Sequence, residues 1–232
     1  MANMPAEPPL RNEVGAAESA PQSALSGACR IMVFAKAPTP GEVKTRLVPA
    51  LGAAGAAALQ RRLILRTLRT AAAAGLGTNE LWCAPGSGDP FLAACASEHG
   101  FSLHAQGEGD LGTRMARALE SALANGTPGL LIGCDCPVLT AAYLREAAAA
   151  LAQGEDAVFG PVEDGGYVLV GASRAPVADL FREVPWGTAA VMQATRARLA
   201  RGGWRWRELA PLWDLDRPED LERLRELGDF AA

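Results

Sequence analysis

The chain has 232 residues, of which 49% are hydrophobic and 21% are charged, and its formal net charge is −4. These proportions are typical of a folded globular protein and exclude a disordered or fibrous one. The sequence contains no run of 18 apolar residues and no long basic run. We therefore expect neither a transmembrane segment nor a nucleic-acid partner.

The cysteine and histidine content excludes two further classes of protein. Five cysteines argue against a disulfide framework because the number is odd, and no spacing of cysteine and histidine fits a zinc site. We interpret Cys134 and Cys136 as small buried hydrophobes. Residues 1–28 are rich in Pro, Ala and Ser and lack the pattern of a secretory signal. We expect a disordered tail there, one domain over residues 29–232, and a cytoplasmic location.

After the predicted tail, apolar runs that predict strands alternate with longer runs that predict helices. The predicted strands are residues 31–35, 80–84, 101–104, 129–133, 157–160, 167–170 and 204–208. The predicted helices are residues 50–74, 90–98, 113–124, 141–152, 188–201 and 218–227. This alternation predicts an α/β fold with a mostly parallel sheet covered on both faces, and the turn at Gly165 adds an antiparallel element. In such sheets ligands bind beyond the carboxyl ends of the strands.

The segment after the first predicted strand, AKAPTPGEVKTR (residues 35–46), has the composition of a phosphate-binding loop. Lys36, Lys44 and Arg46 supply positive charge, and Gly41 permits an unusual backbone angle. Lys36 and Lys44 are the only lysines among 22 basic residues, which favours a role for a compact point charge. The segment matches neither a Walker A loop nor GxGxxG. The alternative is a solvated loop.

Asp135 follows the apolar run GLLIG directly, at the predicted carboxyl end of a central strand. A carboxylate at such a position is costly to desolvate unless it is paired or bound to a metal. We predict that it holds Mg²⁺ or Mn²⁺ bridging two phosphates of a nucleotide. The alternative, a helix cap, fits less well because Thr140 is itself a good cap and lies closer to the helix.

Two further acids, Asp214 and Asp216, follow the last predicted strand. Either could complete a metal site with Asp135. Asp216 has a competing structural interpretation, because Pro218 and Glu219 follow it in the pattern of a helix start with a capping box. The sequence leaves these two interpretations open.

Two glycine-containing turns carry the remaining candidate residues. In Glu163–Tyr167 (EDGGY), Asp164 could face the substrate as a base or a hydroxyl binder, or it could be a solvated turn residue. The segment GEGDLGTRM, which contains Gly112, could cover a base or ribose, or it could be an ordinary loop in which Thr113 caps the next helix. No GxSxG elbow is present, and the two histidines leave no Ser-His-Asp candidate.

Six segments together resemble a known bacterial family. They are FAKAPTPGEVKTRL, GDLGTRM, GCDCP, VFGPVEDGGYVLVG, PWGT and LWDLDRPEDL, and they cover residues 31–224 in that order. The chain resembles the DUF2064 family of glycosyltransferase-like proteins, which is related to arsenosugar-associated glycosyltransferases. The resemblance implies a three-layer GT-A fold, the fold of nucleotide-diphospho-sugar transferases.

The resemblance also implies roles for the candidate residues. It places the nucleotide diphosphate against Lys36, Lys44 and Arg46. It places the metal on Asp135, with Asp216 as a second ligand, and it turns the EDGGY segment toward the acceptor.

The leading hypothesis is a Mg²⁺- or Mn²⁺-dependent glycosyltransferase that uses a nucleotide-sugar and a small-molecule acceptor. Lys44 and Arg46 would hold the leaving diphosphate, and Asp164 would orient or deprotonate the acceptor hydroxyl. A nucleotidyltransferase that consumes a nucleoside triphosphate and releases pyrophosphate is the alternative, because KTRL and DRPEDL also resemble phospholactate guanylyltransferases. A non-catalytic nucleotide-binding protein stays open, because Asp135 stands alone where many sugar transferases carry Asp-x-Asp.

Overall fold

The computed structural model describes residues 29–228. The predicted disordered tail, residues 1–28, and residues 229–232 lie outside the described residues. Strand β1 (Arg30–Lys36) is an interior strand of the sheet, and its five inner residues are buried. A run that is apolar throughout suits a strand covered on both faces, as its sequence predicts.

Six further strands and seven helices follow β1. The strands are β2 (Asn79–Ala84), β3 (Ser102–Ala105), β4 (Gly129–Gly133), β5 (Ala157–Pro161), β6 (Tyr167–Ala172) and β7 (Trp206–Glu208). The helices are α1 (Val48–Ala74), α2 (Pro90–His99), α3 (Leu111–Leu123), α4 (Ala141–Ala152), α5 (Ala178–Phe181), α6 (Val191–Arg201) and α7 (Asp220–Glu226). A 3-10 turn, Thr45–Leu47, precedes α1.

The strands form one sheet in the order β3-β2-β1-β4-β6-β5-β7. The pairs β1–β2, β2–β3, β1–β4 and β5–β7 are parallel, and β6 is antiparallel to both β4 and β5. The mostly parallel sheet and its antiparallel element are therefore confirmed. The strand order reverses between β1 and β4, and this is where open α/β sheets form a ligand crevice.

Two large apolar clusters cover the two faces of the sheet. One packs α1, α2 and α4 against alternate residues of β1 such as Ile31 and Val33. The other packs α3, α5 and α6 against Met32 and Phe34. The fold therefore has three layers, as the family resemblance implies.

A third, smaller group lies beyond the sheet edge, and we call it the leucine cluster. Its buried members are Leu47, Leu59, Leu63, Leu215, Leu221 and Leu224. It joins the loop after β1, the start of α1, the acidic segment 214–216 and α7. The cluster therefore connects the cationic and the acidic segments of the sequence.

Cys134 and Cys136 are buried in the first cluster, which confirms their interpretation as small hydrophobes. Burial raises the pKa of the Cys136 thiol to about 12 and raises that of Cys134 further. A protonated, buried thiol is a poor nucleophile and a poor metal ligand.

The element boundaries differ from the predictions where local signals compete. Helix α3 begins at Leu111, and Asp110 caps it by accepting from the Thr113 N–H at 2.8 Å, so the predicted cap by Thr113 is wrong. Gly52 interrupts α1 with a positive φ of 70°. Thr140 caps α4 as predicted, at 3.2 Å from the Tyr143 N–H.

Candidate active site

A cavity of about 340 Å³ opens at the carboxyl ends of β1 and β4, where the strand order reverses. Its walls are mainly apolar, and its charged lining residues are Lys36, Arg114, Asp135 and Asp214. The strands deliver these residues because β1 ends at Lys36 and β4 ends just before Asp135. The site therefore combines an apolar floor with both signs of charge at its mouth.

Lys44 contacts one of these charged residues, Asp135, without lining the cavity itself. Its side chain is only 4% exposed, and its Nζ lies 2.7 Å from Asp135 Oδ1. The same Nζ donates to the Leu215 carbonyl oxygen at 2.5 Å, 171 residues further along the chain. The backbone of Lys44 is left-handed, with φ of 47°, which is uncommon for a residue with a side chain. The local backbone thus turns this ammonium inward, where it contacts both Asp135 and the Leu215 carbonyl oxygen.

The other cationic residues of the loop lie in different surroundings. Lys36 is exposed at the cavity mouth, and its Nζ donates to the Glu42 carbonyl oxygen at 2.7 Å. Arg46 is paired with Asp216, with its side chain 59% exposed. Gly41 is exposed and has φ of 84°, as a turn glycine should. Of the predicted phosphate-binding residues, Lys36 alone lines the cavity.

The two predicted metal ligands are not brought together in the same way. Asp135 lines the cavity, whereas the carboxylate of Asp216 is engaged by Arg46. Asp216 does not cap α7 either, because the Asp220 carboxylate accepts from the Asp216 N–H at 3.0 Å. The acid that lines the cavity beside Asp135 is Asp214. Asp214 therefore takes the position that the sequence left open between the two acids.

Asp214 has a perturbed acidity. Burial raises the pKa of its carboxyl group to about 6, and the negative charges of Asp164 and Asp135 add to the rise. The charges of Asp164 and Asp135 thus act on Asp214, although the three carboxylates come from separate segments of the chain. Within residues 29–228, no three His, Cys, Asp or Glu side chains are grouped closely enough to hold a metal ion by themselves.

The donor set nevertheless suits Mg²⁺ or Mn²⁺ bound together with a ligand. Such ions prefer carboxylate oxygens, and Mg²⁺ commonly takes one or two carboxylates and completes its shell with substrate phosphates and water. Asp135 and Asp214 supply two carboxylates at the mouth of one cavity. The chemistry of the site therefore fits a cation that arrives with a phosphorylated ligand.

Asp164 lies on the turn between β5 and β6, exposed and outside the cavity lining. Its Oδ1 accepts from the Gly166 N–H at 2.9 Å. Gly165 has φ of 91°, and a Cβ there would collide with the main chain of Ala189 at the start of α6. The turn is therefore docked against α6, and it holds Asp164 near the cavity mouth.

Gly112 serves packing rather than lining the cavity. A Cβ at Gly112 would lie 2.8 Å from the Phe181 carbonyl oxygen, so its absence lets α3 approach α5. Its neighbours Leu111, Arg114 and Met115 line the cavity instead.

Gln106 is a lining residue that sequence reasoning missed. Its amide is 4% exposed, donates to the Trp82 carbonyl oxygen at 2.9 Å and accepts from Arg114 at 3.1 Å. A lone glutamine after a short strand carries no sequence signal, because its partners come from other segments. It fixes the orientation of Arg114 in the cavity wall.

Comparison with known proteins identifies the family. The family described as "Uncharacterized protein conserved in bacteria (DUF2064)" matches residues 67–188. A solved structure from Desulfovibrio desulfuricans G20, provisionally named a nucleotide-diphospho-sugar transferase, is 30% identical over 89% of this chain and 90% of that one, with a TM-score of 0.78. The chain belongs to the DUF2064 family.

More distant structures share the fold of this DUF2064 protein. CMP:2-keto-3-deoxy-manno-octonic acid synthetase, solved with CTP, is 13% identical over 86% of this chain and 98% of its own, with a TM-score of 0.52. The 4-diphosphocytidyl-2C-methyl-D-erythritol synthase of Anaerococcus prevotii DSM 20548 is 9% identical over 86% and 97%, with a TM-score of 0.57. The predicted nucleotide-diphospho-sugar transferase fold is thus confirmed. No curated protein matches the sequence.

Among residues 29–228 of the DUF2064 protein, none of the helices combines the length and the apolar character needed to cross a bilayer.

Proposed function

We propose that this protein is a divalent-metal-dependent transferase that takes a sugar from a nucleotide-diphospho-sugar and passes it to a hydroxyl of a small acceptor. The observation that carries the proposal is the cavity at the strand-order reversal, with a cation, Lys36, and two carboxylates, Asp135 and Asp214, at its mouth. The provisional name of the 30% identical relative supports the same donor class.

Different residues would bind the donor's diphosphate, compensate the charge of the carboxylates and hold the metal. The exposed ammonium of Lys36 would bind the diphosphate at the cavity mouth. Lys44 would compensate the carboxylate of Asp135, which it contacts at 2.7 Å, so that phosphates and carboxylates can meet in one place. Asp135 and Asp214 would hold Mg²⁺ or Mn²⁺, which when bound supplies neutralisation of the charge on the departing diphosphate.

Asp164 would act on the acceptor side. In the transfer, the acceptor oxygen forms a bond to the anomeric carbon, and the bond from that carbon to the diphosphate oxygen breaks. The nucleoside diphosphate leaves with the electron pair, and the hydroxyl proton passes to the Asp164 carboxylate. The exposed position of Asp164 on a docked turn suits a group that meets an incoming acceptor.

We also propose a cytoplasmic location, because the five cysteines are all unpaired and a reducing compartment keeps them so.

A thermal-shift panel followed by a product assay tests the proposal. The purified full chain is mixed with nucleoside triphosphates, nucleoside diphosphates and nucleotide-sugars, each with and without Mg²⁺ or Mn²⁺. A ligand at 100 times its dissociation constant should stabilise the protein by about 2.7 kcal/mol. We expect a metal-dependent shift with one nucleotide-sugar, followed by release of a nucleoside diphosphate when acceptors are supplied.

The matched variants are Asp135→Asn and Glu98→Gln, the latter an exposed acid on α2 that does not line the cavity. Asp135→Asn should lose the metal-dependent shift, and Glu98→Gln should keep it. Release of pyrophosphate from a nucleoside triphosphate would contradict sugar transfer and show that the protein is a nucleotidyltransferase. Binding of a nucleotide without turnover of any donor would show that it is a non-catalytic nucleotide-binding protein.

A further inference from the structure

One arginine, Arg223 on α7, contacts both the turn that bears Asp164 and the segment that bears Asp214. Its two terminal nitrogens donate to the two carboxylate oxygens of Glu163, at 2.8 and 3.0 Å. Its guanidinium carbon lies 4.5 Å from the centre of the Trp213 ring. Glu163 directly precedes Asp164, and Trp213 directly precedes Asp214. A single side chain thus touches the neighbours of two site carboxylates.

The geometry of these contacts is specific. A fork of two parallel hydrogen bonds fixes the direction as well as the distance between arginine and carboxylate, and the flat guanidinium also stacks on an aromatic ring. The interaction holds the pKa of Glu163 below its ordinary value. The two segments share main-chain hydrogen bonds up to Leu212, which donates to Pro161 at 2.9 Å and accepts from Glu163 at 3.1 Å. Arg223 continues this connection to the residues that carry the site.

The site needs such a connection because its carboxylates repel one another. Asp164 and Asp214 are borne on different segments, and like charges brought together favour a separation of those segments. Arg223 lies outside the cavity lining and places a positive charge between the two segments. It can therefore oppose the separation without occupying the space of a ligand.

We infer that Arg223 is a positioning residue, which fixes the spacing between Asp164 and Asp214 by holding Glu163 and Trp213 on one guanidinium. The inference rests on the proposed function, in which Asp214 faces the donor's metal and Asp164 faces the acceptor. Arg223 itself touches neither substrate. Its removal should loosen the turn at Asp164 and weaken the metal site while the sheet stays folded.

A purely structural role for Arg223 would have different consequences. The pair with Glu163 is partly exposed, with side-chain exposures of 43% and 58%, and exposed ion pairs add little to folding stability. If the pair were a surface ion pair with no effect on the site, removing it would change neither the hydrogen exchange of the turn nor the metal affinity. If it only anchored α7, removing it would accelerate hydrogen exchange in α7 and leave the turn at residues 163–166 as protected as before.

The experiment measures hydrogen exchange and Mn²⁺ binding in the full chain. Five variants are compared with the parent protein: Arg223→Ala, Arg223→Lys, Glu163→Gln, the double variant of Arg223→Ala with Glu163→Gln, and the control Arg225→Ala. Arg225 is an exposed arginine of the same helix. Mn²⁺ affinity is measured by electron paramagnetic resonance, and exchange is followed in residues 163–166, in residues 212–216 and in α7.

We expect Arg223→Ala and Glu163→Gln each to weaken Mn²⁺ binding about fivefold and to accelerate exchange in residues 163–166 by a similar factor. Their double variant should be no worse than either alone, because both remove one interaction. Arg223→Lys should recover only part of the loss, since lysine lacks the planar fork. Arg225→Ala should match the parent protein, and the melting temperatures of all variants should differ by a few degrees at most.

Two results would overturn the inference. One is parent-like exchange in residues 163–166 and parent-like Mn²⁺ affinity in Arg223→Ala. The other is an equal effect of Arg225→Ala. If the parent protein itself binds no Mn²⁺, the metal part of the proposed function fails, and the exchange of the turn alone decides the role of Arg223. If Arg223→Ala does not fold, Glu163→Gln provides the same comparison.

Discussion

The two ends of the loop that follows β1 differ more than their sequences suggest. At its start, Lys36 is exposed and bonds within its own loop, to the Glu42 carbonyl oxygen. At its end, Lys44 is 4% exposed and bonds across the molecule, to Asp135 and to the Leu215 carbonyl oxygen. One lysine is available to an incoming anion, and the other already neutralises the site. The difference teaches that a cationic loop can combine an exposed charge with a buried, structural one.

The largest expected effect comes from Asp135, the carboxylate that the buried Lys44 contacts. Asp135→Asn should lower turnover by about 1000-fold or more, because it removes a proposed metal ligand, and a bound metal supplies several kcal/mol of transition-state stabilisation. The fold should survive, since Asp135 is exposed. Steady-state turnover and circular dichroism check both parts. Activity close to that of the parent protein would remove Asp135 from the site.

The buried lysine gives the next effect. Lys44→Met should destabilise the protein by about 1–3 kcal/mol, because the Leu215 carbonyl loses its donor and the carboxylates lose their cation. Turnover should fall by about 100-fold, the loss expected for one preorganised charge. Urea denaturation and kinetics measure the two. Lys44→Arg is the control for charge alone, and full recovery by it would show that the compact ammonium is unnecessary.

Asp214 tests the acidic side through its pH dependence. Its pKa is raised to about 6, whereas in the unfolded chain it has the ordinary value of about 4. The folded protein therefore holds this proton more tightly. The stability that results is fully present below pH 4 and is lost as the pH rises through 6.

Asp214→Asn abolishes this titration, so the variant should lose less stability than the parent protein between pH 4 and pH 6. At pH 7.5 it should be more stable by about 1 kcal/mol, a figure reduced for the partial exposure of the group. Thermal melts across the pH range measure the slope. Parallel curves of stability against pH for the two proteins would show that the surroundings of Asp214 do not raise its pKa.

The smallest effect belongs to the exposed end of the loop. Lys36→Met should change the free energy of unfolding by less than about 0.5 kcal/mol, because its one contact lies at the surface. The KM for the donor should rise about tenfold, equivalent to 1.4 kcal/mol of binding, with kcat little changed. Equal losses of stability in Lys36→Met and Lys44→Met would erase the distinction between the two ends.

The sequence predicts the sheet well, because strands buried on both faces are apolar throughout. The run at β4, for example, is predicted with the bounds that the structure has, Gly129–Gly133. The four-residue helix α5 was not predicted, because one helical turn has no periodicity to detect. β7 is shorter than the predicted strand and begins at Trp206, since residues 204 and 205 belong to the connection from α6.

The site was harder to predict than the fold. Composition drew attention to both lysines, but their opposite surroundings depend on contacts such as that of Lys44 with Leu215, which is 171 residues away. The choice between Asp214 and Asp216 depends on Arg46, which engages Asp216. The local pattern offers a capping role for Asp216 alone, but it does not decide which acid faces the cavity. That choice depends on the packing of the loop against the C-terminal segment.

The leucine cluster makes the acidic segment depend on the least extensive core of the molecule. It holds Leu215, between Asp214 and Asp216, and its members are distinct from the two clusters that cover the sheet. Regions with fewer buried contacts open at lower free energy than the whole fold. Under mild denaturant the charged mouth of the cavity should therefore come apart while the sheet persists. Circular dichroism would then report more folded protein than active enzyme, so preparations should be standardised by active-site titration.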